Sequence, residues 1–341
     1  MYKNIKTIRY MGNKNKLLDF IVPEILKLSE KGQTVCELMC GTCCIGYALK
    51  DQRTVYENDI QYYSYIIARG LIENNGFNIN KTIALNDLEK AYKDNLDKPS
   101  FCFFRDNYSD TYFSKKQCEE IDSIRYAIEK IDNPYKKSLY LIALMHAMCI
   151  CQSTSGHFAQ FLPSNHPRLT KIRQKSIWDE FLKKTKDFND LVFSNYPNKS
   201  FNLEYKDLIK SNEFKEVSVV YVDPPYTCEQ YSRFYHVLET VCKYDNPSLE
   251  FKALYRKDRF KSDLSLRKNA FEEFDLMLDL LSKENKKVVL SYSTKGLLKE
   301  YEMEYLFKKH FQNFEIKRMT YNHSTQGKGS VNLEELLFIG Y

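Results

Sequence analysis

The sequence predicts a mixed α/β fold in which one sheet is interrupted by a helical insertion. Three observations lead there. The first third of the chain alternates strand and helix patterns; strand patterns nearly vanish from about Asn74 to Asn198 and then return; and the run Val219-Val220-Tyr221-Val222 has the apolar character of a central parallel strand. A length of 341 residues exceeds the ~150 expected of one domain. The expected division is therefore a sheet domain in two parts, 1–73 and 201–341, around a helical insertion, 74–200.

The elements follow in order. Leu17, Leu18, Ile21, Ile25 and Leu28 make one apolar stripe, which predicts a helix from about Lys14 to Lys31. Thr34 to Leu38 and Thr54 to Glu57 read as short strands; helices are expected at Thr42 to Lys50, after a Gly-containing turn, and at Tyr62 to Glu73. In the insertion, helices are expected near Lys115 to Lys130, Tyr135 to Cys151 and Leu169 to Asp187. The apolar run Ser138 to Cys151 is shorter than the ~20 residues of a bilayer crossing and contains His146, so it reads as a buried helix. Strands are expected at Phe201 to Tyr205, Val217 to Val222 and Lys287 to Tyr292, with two terminal β runs at Phe314 to Thr320 and Leu333 to Tyr341.

Composition narrows the class. A hydrophobic fraction of 43% with 28% charged residues excludes disordered and low-complexity chains. The 26 Tyr and 22 Phe against one Trp suit a surface that stacks on flat partners, although an AT-rich coding bias gives the same excess. The N-terminal MYKNIKTIRYMGNK has no apolar stretch leading to a cleavage site, so a cytoplasmic protein is expected, with ten reduced cysteines and no membrane partner. A net charge of +6 permits a polyanionic partner without requiring one.

The strongest chemical signal is Asp223-Pro224-Pro225-Tyr226 directly after the strand Val219–Val222. Prolines cannot extend a sheet, so the acid sits at the carboxyl end of a core strand, where open α/β sheets bind ligands. A carboxylate, the Pro224 carbonyl and the Tyr226 ring together suit a planar amine.

This motif resembles that of amino-group DNA methyltransferases, specifically the Dam-like adenine class. Ile8-Arg9-Tyr10-Met11-Gly12-Asn13-Lys14 is similar to the amino-terminal motif of that class, in which an aromatic residue and a lysine lie near S-adenosylmethionine. Glu37-Leu38-Met39-Cys40-Gly41-Thr42 is similar to its cofactor-binding loop; Met39 stands where Phe is common and Cys43 where a second glycine is expected. Asn58-Asp59 follows the second strand at about the spacing from which an acid reaches ribose hydroxyls. Asp207 matches a position that contacts the cofactor adenine, and Val288 to Ser293 and His323 to Glu335, including Lys328, resemble the late motifs. The resemblance implies a Rossmann-like class I S-adenosylmethionine-dependent methyltransferase sheet with an inserted helical domain. It also implies cofactor contacts from Tyr10, Lys14, Glu37, Met39, Cys40, Gly41, Asp59 and Asp207, catalysis by Asp223, Pro224, Pro225 and Tyr226, and no metal.

Other chemistries compete. Cys36, Cys40 and Cys43 have the C-x3-C-x2-C spacing that holds an iron–sulfur cluster in radical S-adenosylmethionine enzymes, but Cys36 falls inside a predicted strand. Cytosine-ring methylation needs a cysteine after the strand, and Cys228 lies too late. Glu315-Ile316-Lys317 imitates a nuclease acid-x-lysine but alternates like an ordinary strand. RNA adenine methylation and a non-catalytic DNA-binding role on the same scaffold stay open.

Basic clusters lie at His166 to Lys186, with Arg168, Lys171 and Arg173, and at Lys252 to Lys268. The polar and aromatic loop Ser153 to Phe161 contains His157 and Gln160 and resembles a DNA-approaching segment of Dam-like enzymes; Gln230 to Glu239, with Arg233, is expected to shape a pocket wall. These residues, with Lys328, are the candidate contacts to double-stranded DNA. A cognate restriction endonuclease is the expected functional partner.

Overall fold

The computed structural model describes residues 2, 5–77, 83–324 and 330–341. Nine strands are assigned among them: β1 Thr34–Glu37, β2 Thr54–Asn58, β3 Lys199–Phe201, β4 Val217–Val222, β5 Leu249–Glu250, β6 Tyr255–Arg256, β7 Lys287–Ser293, β8 Phe314–Ser324 and β9 Ser330–Gly340. Seven form one sheet in the order β3-β2-β1-β4-β7-β9-β8. Strands β3 to β7 in that row are parallel, and β9 is antiparallel to both β7 and β8. This is the Rossmann-like methyltransferase sheet. β5 and β6 make a separate antiparallel ribbon.

Alternation along the strands divides the core into two layers. Val35, Val55, Val219, Tyr221 and Val289 face one cluster, while Cys36, Tyr56, Val220, Val222 and Leu290 face the other. Both faces are covered, which is why β4 reads as a continuous apolar run. Helices Tyr205–Ile209, Ala270–Lys283 and Glu300–His310 supply the second cluster. The first takes helices Leu18–Leu28, Cys44–Leu49 and Tyr62–Ala68, and continues without a break into the helices between Ile83 and Asp187. Its centre is the helix Pro134–Cys151, buried over most of its circumference. Among the described residues no helix is long and apolar enough to cross a membrane.

Several elements differ from the expected ones, each for a local reason. The strand expected at Phe201 to Tyr205 is Lys199–Phe201, and Tyr205 opens a helix instead. The Asn58 side chain takes both the N–H and the C=O of Leu203, at 3.1 Å each, and so replaces the strand neighbour. The helix expected from Leu169 to Asp187 is two, Leu169–Arg173 and Ile177–Asp187. Gln117 donates to the carbonyls of Ile172 and Lys175 at the break, while Ser176 and Glu120 accept the first N–H groups of the second helix. Helices Ile83–Asp97 and Phe103–Tyr108 were not expected; Asp122 caps the second by accepting from Phe104 and Arg105 at 2.9 Å. The helix from Tyr62 widens to a π-helical turn at Arg69–Glu73, and the terminal strands reach further toward each other than expected.

That π turn approaches the central helix at Gly70, where a Cβ would lie 2.9 Å from Ile142 Cδ1. Gly70→Ala is expected to cost ~1–3 kcal/mol through overpacking. Ile142→Val in the same background should recover part of that loss, a non-additivity that urea denaturation of the two single variants and the double variant would measure.

Candidate active site

The strand order reverses direction between β1 and β4, and the loops at their carboxyl ends diverge there, which opens a crevice. A cavity of about 300 Å³ occupies it, within the range of small-molecule sites. Its walls come from Tyr10–Lys14, the loop Glu37–Thr42 after β1, Asn58–Gln61 after β2 and Asp223–Tyr226 after β4. Leu203–Tyr205, Gln230–Ser232 and Phe260–Ser265 close the remaining sides. The last two stretches are tied together: Gln230 donates to the Ser262 carbonyl at 2.9 Å and accepts from its N–H at 2.8 Å.

At the inner end lies a charged cluster drawn from four elements. Lys14 Nζ is 2.8 Å from Asp223 Oδ1 and 3.6 Å from Glu335 Oε1, and its side chain is 5% exposed. Tyr226 Oη is 2.6 Å from Asp223 Oδ1 and 2.8 Å from Glu335 Oε1, and Ser291 Oγ bonds to that same Glu335 oxygen. The Lys14 ammonium also sits over the Tyr226 ring, 4.8 Å from its centroid, and Tyr292 meets that ring edge-on. Burial opposes the Lys14 charge, but Asp223 and Glu335 outweigh it and hold the ammonium above the usual lysine range. Burial pushes the Asp223 carboxyl up, Lys14 pulls it back and Glu335 adds to the rise.

The loop after β1 is shaped by hydrogen bonds to buried acids. Asp59 accepts from the N–H groups of Gly41 and Gln61, at 2.9 and 2.8 Å, and burial still raises it to about 6. Its carboxylate therefore braces the loop as well as lining the cavity. Glu37 accepts from Gly46 N–H at 3.2 Å, and burial pushes both Glu37 and its neighbour Glu57 upward. Gly41 adopts φ +51, and a Cβ there would lie 3.1 Å from the Tyr10 ring, which itself stacks on Tyr235 at 4.8 Å.

Cys43 takes φ +58, the left-handed conformation a glycine would supply at this position, and turns its side chain into the core rather than into the cavity. The cysteine in place of glycine thus leaves the loop path intact. Cys36 belongs to the core layer on the opposite side of the sheet from Cys40 and Cys43, so the three thiols do not converge. Cys40, Cys43 and Glu57 do meet, with donor atoms within 4.8 Å of one another. Burial raises all three groups, so a cation there would have to displace their protons.

The site thus gathers Tyr10, Lys14, Glu37, Met39, Cys40, Gly41, Asp59 and Asp223–Tyr226 around one cavity. Asp207 is not among its walls and is exposed on the helix Tyr205–Ile209. His157, Gln160, Arg168, Lys171, Arg173 and Arg233 also lie outside the cavity. Gln160, Arg168 and Lys171 are exposed; Arg173 donates to the Asp110 carbonyl at 2.9 Å, and Arg233 lies 3.7 Å from Glu229. Lys328 lies outside the described residues. In the second basic run, Arg256 is 1% exposed and clamped by Asp245 and Asp258, and Arg259 pairs with Glu250. Those two arginines hold the ribbon together. Ser291 and Glu335 fall within the two late segments singled out in the sequence, Val288 to Ser293 and His323 to Glu335, but their membership of the charged cluster was not expected.

The Ser153–Phe161 loop is anchored from behind by His236, whose Nε2 donates to the Phe158 carbonyl at 2.9 Å. Burial depresses this imidazole to about 3.

A family model described as D12 class N6 adenine-specific DNA methyltransferase matches residues 10–322. Among curated proteins, modification methylase LlaI of Lactococcus lactis subsp. lactis is 29% identical over 313 residues, covering 85% of this chain and 47% of that protein. Type II methyltransferase M.FokI of Planomicrobium okeanokoites is 28% identical over 338 residues, covering 92% and 49%, and modification methylase StsI of Streptococcus sanguinis is 28% identical over 362, covering 97% and 51%. The chain spans about half the length of these three relatives.

A histidine held neutral in the fold stabilises it fully above its unfolded pKa and loses that contribution as pH falls toward the folded value. Between pH 7 and pH 5 wild type should therefore lose ~2 kcal/mol more than His236→Gln, from about 1.4 kcal/mol per unit below 6.5. Denaturant titrations at the two pH values measure this difference directly.

Proposed function

Because the chain belongs to the D12 class of N6 adenine-specific DNA methyltransferases, we propose that it moves the methyl group of S-adenosylmethionine to N6 of an adenine extruded from duplex DNA. The observation that supports this reading is that Asp223, Pro224 and Tyr226 line the cavity between β1 and β4. The relatives are named as modification or Type II methyltransferases, and we infer the same role here, in the cytoplasm and beside a restriction endonuclease.

The residues present fit the cofactor. The glycine at 41 lets the loop close against Tyr10 where any Cβ would intrude, and acids line the cavity for a ligand that combines an adenine, ribose hydroxyls and a sulfonium cation. When bound, S-adenosylmethionine supplies the electrophilic methyl group. The protein supplies placement and charge.

An adenine amine is a poor nucleophile because its lone pair is delocalised into the ring. Lys14 and Tyr226 both engage Oδ1 of Asp223, which leaves Oδ2 to accept from the incoming amine. A second hydrogen bond to the Pro224 carbonyl draws the nitrogen toward tetrahedral geometry, and the carboxylate stabilises the positive charge that develops on it. Extrusion of the base costs a few kcal/mol, part of which the Tyr226 ring recovers by stacking. Holding amine and donor in line contributes much of the remaining acceleration.

Target recognition is assigned in this reading to the segment 74–200, with His157, Gln160, Arg168, Lys171 and Arg173 reaching DNA together with Arg233 and Lys328. Phosphate contacts of this kind supply most non-specific affinity.

Asp223→Ala is expected to lower methyl transfer by at least ~10²-fold while DNA binding is largely kept. Transfer of label from S-adenosylmethionine to unmethylated DNA, with mass spectrometry of the nucleosides, checks both the reaction and its product. Retained turnover in the variant, or label found only in RNA or protein, would sink the assignment.

A further inference from the structure

Four oxygens and one ammonium meet at the inner end of the cavity, and the protons between them can be counted. Three oxygen pairs are in close contact: Tyr226 with Asp223 at 2.6 Å, Tyr226 with Glu335 at 2.8 Å, and Ser291 with Glu335. The Tyr226–Ser291 separation is longer, at 3.4 Å. Each close contact needs a proton between its oxygens, and the two hydroxyls carry one each. The third proton has to sit on a carboxyl. Lys14 does not supply it, because an ammonium N–H donates from nitrogen to one oxygen, here at 2.8 Å to Asp223 Oδ1, 3.2 Å to the Gly12 carbonyl and 3.6 Å to Glu335 Oε1, and puts no proton between two oxygens.

Charge leads to the same number. Lys14 is the cation in contact with both acids, and Glu335 is 1% exposed. One ionised and one protonated carboxyl leave this cluster neutral, whereas two ionised carboxyls would leave a buried net charge.

We propose that Asp223 and Glu335 hold one proton between them in the resting protein, and that Glu335 is a positioning residue that sets the pH at which Asp223 can accept an amine. The proposal rests on the methyl-transfer reading for its consequence, but not for the proton itself. Glu335 acts through Tyr226 and Lys14 and lies outside the cavity wall, so it has no contact with substrate to make. Ser291 fixes its carboxyl from the neighbouring strand.

The other ionisable groups facing Asp223 are Lys14, Tyr226, Tyr221, Tyr231, Glu37 and Cys44. Of these, Tyr226 is the group whose hydroxyl joins Asp223 to Glu335. As the pH rises, the pair gives up its proton and Asp223 becomes competent; the acidic limb of the rate profile therefore belongs to the pair rather than to either residue. An amide at 335 keeps the shape and removes the charge, so Asp223 then ionises at lower pH.

Two measurements test this. The acidic limb of methyl transfer against pH should move down by about one unit in Glu335→Gln relative to wild type, with S-adenosylmethionine affinity little changed. Independently, difference infrared spectra of the ligand-free protein near neutral pH should show one protonated-carboxyl C=O band lost in Glu335→Gln, and the same band lost in Asp223→Asn. A limb that stays in place while the rate falls uniformly, or a band that survives both substitutions, overturns the proposal. If wild type transfers no methyl group to DNA at any pH, the functional reading fails, and the infrared result still decides whether the proton is shared.

Discussion

One buried ammonium organises the working end of this protein. Lys14 sits among carboxyls that β4 and β9 bring from positions 223 and 335, and without it those acids would face each other in a nearly dry site. Removing one partner of such a group costs several kcal/mol, because the remaining charge is left uncompensated. The N-terminal segment is accordingly tied down on both sides of the lysine. Met11 N–H donates to the Tyr235 hydroxyl at 2.7 Å, and Asn13 donates to Thr42 at 2.9 Å while capping the turn that starts at Lys14. A segment ahead of the first strand thereby becomes part of the site built on the fourth.

The second constraint is backbone shape in the loop after β1. Of two buried acids, Asp59 holds the Gly41 N–H in the loop and Glu37 holds the Gly46 N–H in the helix that follows, and Tyr10 closes on Gly41. The position that ordinarily needs glycine tolerates Cys43 because its left-handed residue sits at the start of the helix Cys44–Leu49, with the side chain directed inward. What the loop requires there is a φ value, and space on the core side lets a small residue provide it. Gly46, one turn further on, has no such freedom: a Cβ would lie 1.5 Å from Glu57 Oε1.

These two constraints explain what the sequence could and could not reveal. The Asp223–Tyr226 run was legible because an apolar strand, an acid and two prolines are consecutive, and their consequence is local. One sheet split by a helical segment was legible in the alternation of elements, whereas the strand order with its reversal between β1 and β4 was not. The Lys14–Glu335 relation was not legible, since its partners are separated by almost the whole chain and only strand pairing brings them together. Local reasoning failed in the same way at Leu203, where a distant asparagine replaces a strand neighbour, and at Gln174–Ser176, where Gln117 and Glu120 from another helix stabilise the break. Asp207 had the right spacing but is exposed on its helix, outside the cavity wall.

The placement of charge bears on how DNA is met. The cavity wall carries more acids than lysines, so in the proposed reading the attraction for phosphate comes from surfaces around it. Counting basic residues overstates that attraction, because Arg256 and Arg259 are committed to Asp245, Asp258 and Glu250 within the ribbon region. Arg173 also bonds the Asp110 carbonyl, so its reach to DNA in the proposed reading means exchanging that partner for a phosphate. Arg168 and Lys171 remain exposed beside the short helix Leu169–Arg173, and the Ser153–Phe161 loop is held from behind by His236. In the proposed reading, backbone attraction and base contact thus fall mainly to the helical segment, with Arg233 and Lys328 outside it, while the cavity receives the extruded base. That separation suits the proposed chemistry: Lys14, the ammonium beside Asp223, is held between Asp223 and Glu335, so a positive charge developing on nitrogen would meet a cation already matched by carboxyls rather than one left free for phosphate.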